Sequence, residues 1–188
     1  MFAAEHGLDI ELVPVDMLGG ENRRTEFLRV NPMGQLPVLE ADDGTIIAEV
    51  VAICEYLDEV SSGPSLIGAT AEERAVGRMW TRRIDLNILQ PMADGFRFSD
   101  ALSFFRERID CMPEAAEGLK ARAHAGLAWL DGAIAGKTFI CGDRLTLADI
   151  MLYATISFFQ RNGQPGEESW SNLRAWQDRM AARPSASA

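Results

Sequence analysis

Apolar positions along this chain recur with two different periods, and the change from one to the other divides it. From Asp9 to Asp16, DIELVPVD sets Ile10, Leu12 and Pro14 against Glu11, Val13 and Val15, the alternation of a short strand. Pro14 carries no backbone donor, which assigns that strand to a sheet edge. Two further runs, PVLEA and TIIAE, flank Asp42-Asp43-Gly44, and an Asp-Gly turn between β-branched runs predicts a hairpin. Next, EVVAICEYLDEV places Val50, Ile53, Cys54 and Leu57 at i, i+3, i+4 and i+7, the stripe of an amphipathic helix. Ahead of these, MFAAEHG reads as the last turns of a helix stopped by Gly7, with no capping side chain before it. GGENRRTEFLRV supplies a loop and a short helix that packs Phe27, Leu28 and Val30.

SSGPSLIG, residues 61–68, interrupts both periods and reads as a linker. Beyond Thr70 only the helical period remains. Val76, Met79, Trp80, Ile84 and Ile88 fall on one face of a helix predicted to end near Pro91, and a second long helix spans roughly Met112 to Ala135. In DRLTLADIMLYATISFFQ, Thr146 is the expected N-cap and Asp149 the N3 acid, with Leu145 and Ile150 as a staple; the pair is read as structural. A last helix carries Leu173, Trp176 and Met180. The order is strand, helix, antiparallel hairpin, helix, linker and an all-helical region, without internal repeats.

Composition narrows the function classes. A net charge of −10, from 18 basic and 28 acidic residues, argues against nucleic acid or an anionic membrane as partner. No run approaches the roughly 18 apolar residues needed to cross a bilayer, and the start lacks a signal-peptide pattern, so the cytoplasm is expected. Cys54, Cys111 and Cys141 are far apart, and only His6 and His124 could join them; no metal site is expected. Arg78, Arg82 and Arg83 form a basic patch on the first long helix, read as a solvated or subunit-facing surface.

The stretch NPMGQLPVLE, Asn31 to Glu40, places Pro37 at the mouth of a short apolar strand. Proline does not belong inside a ladder, so this is either an ordinary loop or a proline that shapes a site. Taken with DGTIIAEVVAICEYLDE, the linker, GDRLTLADI and the terminal WQDRMAARPSA, the pattern resembles the cytosolic glutathione S-transferases of bacterial type over nearly the whole chain. The resemblance implies an α/β plus all-α fold. Residues 1–60 would be a thioredoxin-like glutathione-binding domain, 61–70 a linker and 71–188 an all-helical domain.

It also implies roles. The Leu36–Pro37 bond would be cis, presenting the Leu36 backbone to the cysteinyl residue of glutathione, with Gln35 toward its glycine end. The N-terminus of the helix after the hairpin would receive the γ-glutamyl carboxylate, and Glu49 would face the ligand's ammonium group. Val50 stands where the family carries a Ser or Thr hydroxyl. Glutathione would be the co-substrate and a small hydrophobic electrophile its partner, in a homodimer serving detoxification. Phe96, Phe98, Phe104, Phe105, Phe158 and Phe159 are candidates for the electrophile pocket, against plain core packing.

The family's first strand and its catalytic Ser, Tyr or Cys would precede MFAAEHG. The thioredoxin-like domain is therefore expected to be incomplete, the catalytic residue to lie upstream of Met1, and this stretch alone to have little activity. Without that strand, DIELVPVD would be displaced or left with an open edge. The rival reading is a non-catalytic protein that holds a ligand or partner on the same scaffold.

Overall fold

A computed structural model describes residues 1–162 and 169–187. They form two compact units, Met1–Leu66 and Ile67–Ser187.

In the first unit a short helix α1 (Phe2–Glu5) ends at Gly7, whose φ of 64° suits glycine. A 3-10 turn (Glu21–Arg23) leads to α2 (Thr25–Val30). The hairpin follows as β1 (Val38–Glu40) and β2 (Ile46–Ala48), antiparallel, with Val38 opposite Ala48 and Glu40 opposite Ile46. Its turn is closed by Ala41 N–H to the Thr45 carbonyl (2.9 Å) and by the Asp43 carboxylate accepting from Thr45 N–H (2.9 Å). Helix α3 (Val50–Val60) then buries Ile53, Cys54 and Leu57. Asp58 accepts from Leu66 N–H and Ser65 Oγ, both at 2.6 Å. His6 lies between Ser61 Oγ (2.9 Å) and Asp58 Oδ1 (3.1 Å), so the end of α1 is tied to the end of α3.

Three expectations for this unit need correction. DIELVPVD forms no strand: residues 8–16 lie outside any ladder, and the described sheet holds β1 and β2 alone. Alternation encodes a face but not a partner, and a strand needs both. With no pairing, Leu12 and Val13 are exposed together, at 87% and 76%. Val30 is exposed, whereas Phe27 and Leu28 are half-buried. Val50 leaves the buried stripe of α3 because it is the helix's first residue, on the exposed rim.

The second unit is helical. Helix α4 (Ala71–Ile84) is capped by Thr70, whose hydroxyl accepts from Glu73 N–H (3.2 Å). It runs on through a wide π turn (Asp85–Leu89) into α5 (Gln90–Arg97). Pro91 therefore does not end the helix as predicted. Proline cannot donate to the carbonyl four residues back and clashes with it; the widened turn just before it absorbs that misfit. The turn also lies close against the next long helix: a Cβ on Gly126 would sit 2.5 Å from the Asn87 carbonyl oxygen. On α4, Trp80 and Ile84 are buried, and Ile88 in the turn beyond, while Val76 and Met79 are exposed. The buried face there is narrower than the spacing suggested, and Gly77 and Thr81 share it.

Helix α6 (Leu102–Phe105) is a single turn, and a 3-10 turn (Pro113–Ala115) opens α7 (Ala116–Ala133), against which α5 packs. Helices α8 (Leu147–Arg161) and α9 (Ser171–Ala181) and a 3-10 turn (Pro184–Ser187) complete the described part. Ile84, Ile88, Leu130, Ile140, Leu152, Trp176 and Met180 are fully buried. The cap of α8 is as expected but reaches further. Asp149 Oδ2 accepts from Thr146 N–H (3.0 Å) and Oγ (2.9 Å), and Oδ1 from Ile140 N–H (2.8 Å) and Trp176 Nε1–H (2.9 Å). Asp131 caps α9 across a long sequence gap, accepting from Asn172 N–H (2.9 Å) and Leu173 N–H (2.8 Å).

Candidate functional site

The hairpin gathers the candidate residues of the first unit. Because Val38 pairs with Ala48, Pro37 and Glu49, one residue further out on each strand, lie at the same end of the ladder. The segment before Pro37 is held from below. Buried Asn31 donates from Nδ2 to the Gln35 carbonyl (2.8 Å) and accepts at Oδ1 from Met33 N–H (3.2 Å), while Gly34 N–H reaches the Asn31 carbonyl (2.8 Å). Buried Asn22 donates to the Gly34 carbonyl (2.6 Å). The Leu36–Pro37 peptide is cis. Leu36 is 40% exposed, and among the described residues no hydrogen bond engages its N–H or carbonyl.

On the other strand, Glu49 is the N-cap of α3 at φ 70°, ψ 121°, the one non-glycine residue with positive φ among those described. A side chain held there costs about 1–3 kcal/mol, and such residues gather at sites. No side chain caps α3, so its first amides stay free at the positive end of the helix dipole. Val50, 41% exposed, adds no hydrogen-bonding group. The Gln35 carbonyl is consumed by Asn31, and its side chain is exposed.

Chemically this is a short docking edge. The Leu36 N–H and carbonyl can pair with an extended peptide as a strand would, the start of α3 can take a carboxylate, and Glu49 can take an ammonium group. An extended peptide with a free α-amino-acid end matches all three. Asn22 and Asn31 were missed from the sequence. Burial and bonding, which residue type does not announce, reveal them as the support beneath the edge.

Cys54, the cysteine of the first unit, is not poised as a nucleophile. Burial pushes the Cys54 thiol up to about 12, on the inner face of α3. Burial raises the Cys141 thiol as well, against the opposing hydrogen bond from Thr146. At pH 8, a thiol reagent is therefore expected to modify Cys54 at least about tenfold more slowly in the folded chain than in urea; mass-resolved labelling of native and denatured samples measures the ratio. Among the described residues no group of three His, Cys, Asp or Glu is placed to hold a metal.

In the second unit the phenylalanines divide. Phe96 meets Phe158 (6.1 Å) and Phe159 (5.4 Å) edge-on, while Phe104 and Phe105 (4.9 Å) form a separate pair with Arg108 3.9 Å over the Phe104 ring. Phe98 and Phe159 are buried, whereas Phe158 remains 46% exposed.

Residues 1–60 match the family described as Glutathione S-transferase, N-terminal domain, and residues 113–179 match Glutathione S-transferase, C-terminal domain. Glutathione S-transferase 2 of Saccharomyces cerevisiae is 34% identical over 178 residues, covering 94% of this chain and 76% of that protein. Among solved structures, a glutathione S-transferase domain-containing protein of Marinobacter aquaeolei VT8 superposes with a TM-score of 0.92 at 38% identity, over 98% of this chain and 91% of that one. Gtt2 of Saccharomyces cerevisiae gives 0.91 at 32%, over 99% and 90%. The chain belongs to the glutathione S-transferase family, with a thioredoxin-like N-terminal part and a helical C-terminal part.

Proposed function

We propose that the chain binds glutathione along the edge formed by Gln35, Leu36 and Pro37 and by the start of α3 at Glu49 and Val50, for conjugation to small hydrophobic electrophiles. The observation that carries this reading is the Leu36 backbone, which has no hydrogen-bond partner among the described residues and lies beside an uncapped helix N-terminus. Leu36 pairs with the cysteinyl residue, the amides of α3 take the γ-glutamyl carboxylate, Glu49 takes the ammonium group and Gln35 faces the glycine end. In the reaction the glutathione thiolate attacks an electrophilic carbon. A C–S bond forms, the leaving group departs with its bonding pair, and the thiol proton passes to a base. None of the named residues lowers the pKa of that thiol; their part is to bind and orient.

In this reading 1–60 is the glutathione-binding domain, 61–70 the linker and 71–188 the helical domain of a cytoplasmic, detoxifying homodimer. Val50 makes the site weaker than it could be, because a hydroxyl there would add one hydrogen bond to a carboxylate. Val50→Ser is expected to tighten glutathione binding by about three- to tenfold, the equivalent of about 0.5–1.5 kcal/mol, measured by calorimetric titration.

The proposal as a whole is tested by titrating the chain with glutathione and assaying its aryl-halide conjugation. Saturable binding together with turnover supports it. Binding without turnover would make it a ligand-holding protein, and absence of binding would overturn the site.

A further inference from the structure

Two buried asparagines grip successive carbonyls of the turn before Pro37. Asn22 donates from Nδ2 to the Gly34 carbonyl at 2.6 Å, and Asn31 donates from Nδ2 to the Gln35 carbonyl at 2.8 Å. The Asn31 amide is fixed in its turn, since its Oδ1 accepts from Met33 N–H (3.2 Å). Gly34 stands at φ 62°, and a Cβ there would meet the Asn22 carbonyl oxygen at 2.9 Å. The turn therefore sits close on its supports.

These bonds also orient Leu36. In a trans peptide the N–H points opposite to the carbonyl of the same plane. Among the described residues only the Leu36–Pro37 bond is cis, so the Gln35–Leu36 peptide is trans. Its carbonyl is drawn toward buried Asn31, which turns the Leu36 N–H the other way, off the supporting side. That N–H has no hydrogen-bond partner among the described residues. We propose that Asn31 is a positioning residue for glutathione: by holding the Gln35 carbonyl it aims the Leu36 N–H at the cysteinyl carbonyl of the tripeptide. Asn31 acts only through this peptide plane and touches no ligand atom. Affinity gains because a plane already turned need not be ordered on binding. This role rests on the glutathione reading of the edge.

The test is calorimetric titration of the whole chain and its variants with glutathione at pH 8 and pH 5. Asn31→Asp keeps the acceptor for Met33 N–H but loses the donor, so its carboxylate opposes the Gln35 carbonyl. At pH 8 its affinity is expected to fall about tenfold below that of the native chain. Burial favours the protonated acid, whose O–H can donate where Nδ2–H did. Measured against the native chain at pH 5, most of the loss should therefore be recovered. Asn31→Ala has no donor at either pH and should show a similar loss at both. Leu57→Val, which loosens the buried face of α3 away from the edge, should bind as the native chain does. Absence of binding by the native chain would overturn the glutathione reading and this role with it. Native binding matched by both Asn31 variants at pH 8 would overturn the role alone. So would a loss in Asn31→Asp that acid does not reduce, or one that Leu57→Val shares.

Discussion

Replacing Asp149 by alanine is expected to lower the stability of the chain by about 3–5 kcal/mol, the largest effect of any single substitution considered. The carboxylate is fully buried and accepts hydrogen bonds from the Thr146 amide and hydroxyl, the Ile140 amide and the Trp176 indole. It therefore ties the start of α8 to the loop before it and to α9. Alanine leaves those donors buried without an acceptor, and each such orphan costs about 1–3 kcal/mol. Trp176→Phe removes one donor only, and about 1.5–3 kcal/mol is expected. The double variant should fall short of the sum, because both changes break the same bond. Urea melts measure all three, and a loss under about 1 kcal/mol for Asp149→Ala would mean that the cap does not hold the bundle.

The pH dependence of this group has a definite sign. Burial raises the Asp149 carboxyl, against the lowering effect of its hydrogen bonds. A carboxyl whose pKa is higher folded than unfolded takes up its proton more readily in the folded chain. Its stabilisation is full below the unfolded pKa and is lost as pH rises through the folded one. Mild acid therefore does not undo the cap through this residue, and the Thr146 hydroxyl can turn to accept a hydrogen bond from the protonated carboxyl.

The second large effect concerns Glu49, where stability and binding are expected to move in opposite directions. Its φ of 70° is a conformation that a side chain resists and glycine tolerates. Glu49→Gly should raise stability by about 1 kcal/mol, the relief exceeding the added freedom of the unfolded chain. The same change removes the carboxylate proposed to face the ammonium group of glutathione, and affinity should fall about ten- to a hundredfold. Paired urea melts and titrations of the variant measure both. A loss of stability with unchanged affinity would mark Glu49 as a structural residue.

How far these features could be read from the sequence differs from one to the next. The hairpin, α3 and the cap of α8 are local, carried by Asp43-Gly44, by the spacing of Ile53, Cys54 and Leu57 and by Thr146 with Asp149, so their positions followed from neighbouring residues. Residues 9–16 failed as a strand because pairing is a property of a partner elsewhere in the chain. Pro91 was misread because the wide turn that accommodates it is a response of the backbone that no residue type announces. The same division holds for the edge. Gln35, Leu36, Pro37, Glu49 and Val50 came from the family pattern, and the structure brings Pro37 and Glu49 to one end of the hairpin. Asn22 and Asn31, which support Leu36 from beneath, were illegible because asparagine in a loop looks the same whether exposed or buried.

Calorimetric titration of the native chain and of Glu49→Gln with glutathione tests the central claim most directly, because glutamine keeps the size and backbone of Glu49 and removes only its charge. Saturable binding of one glutathione per chain is expected, weakened about tenfold or more in the variant. No saturable binding by the native chain, or equal binding by both, would contradict the claim that Leu36 and the start of α3 form the glutathione site.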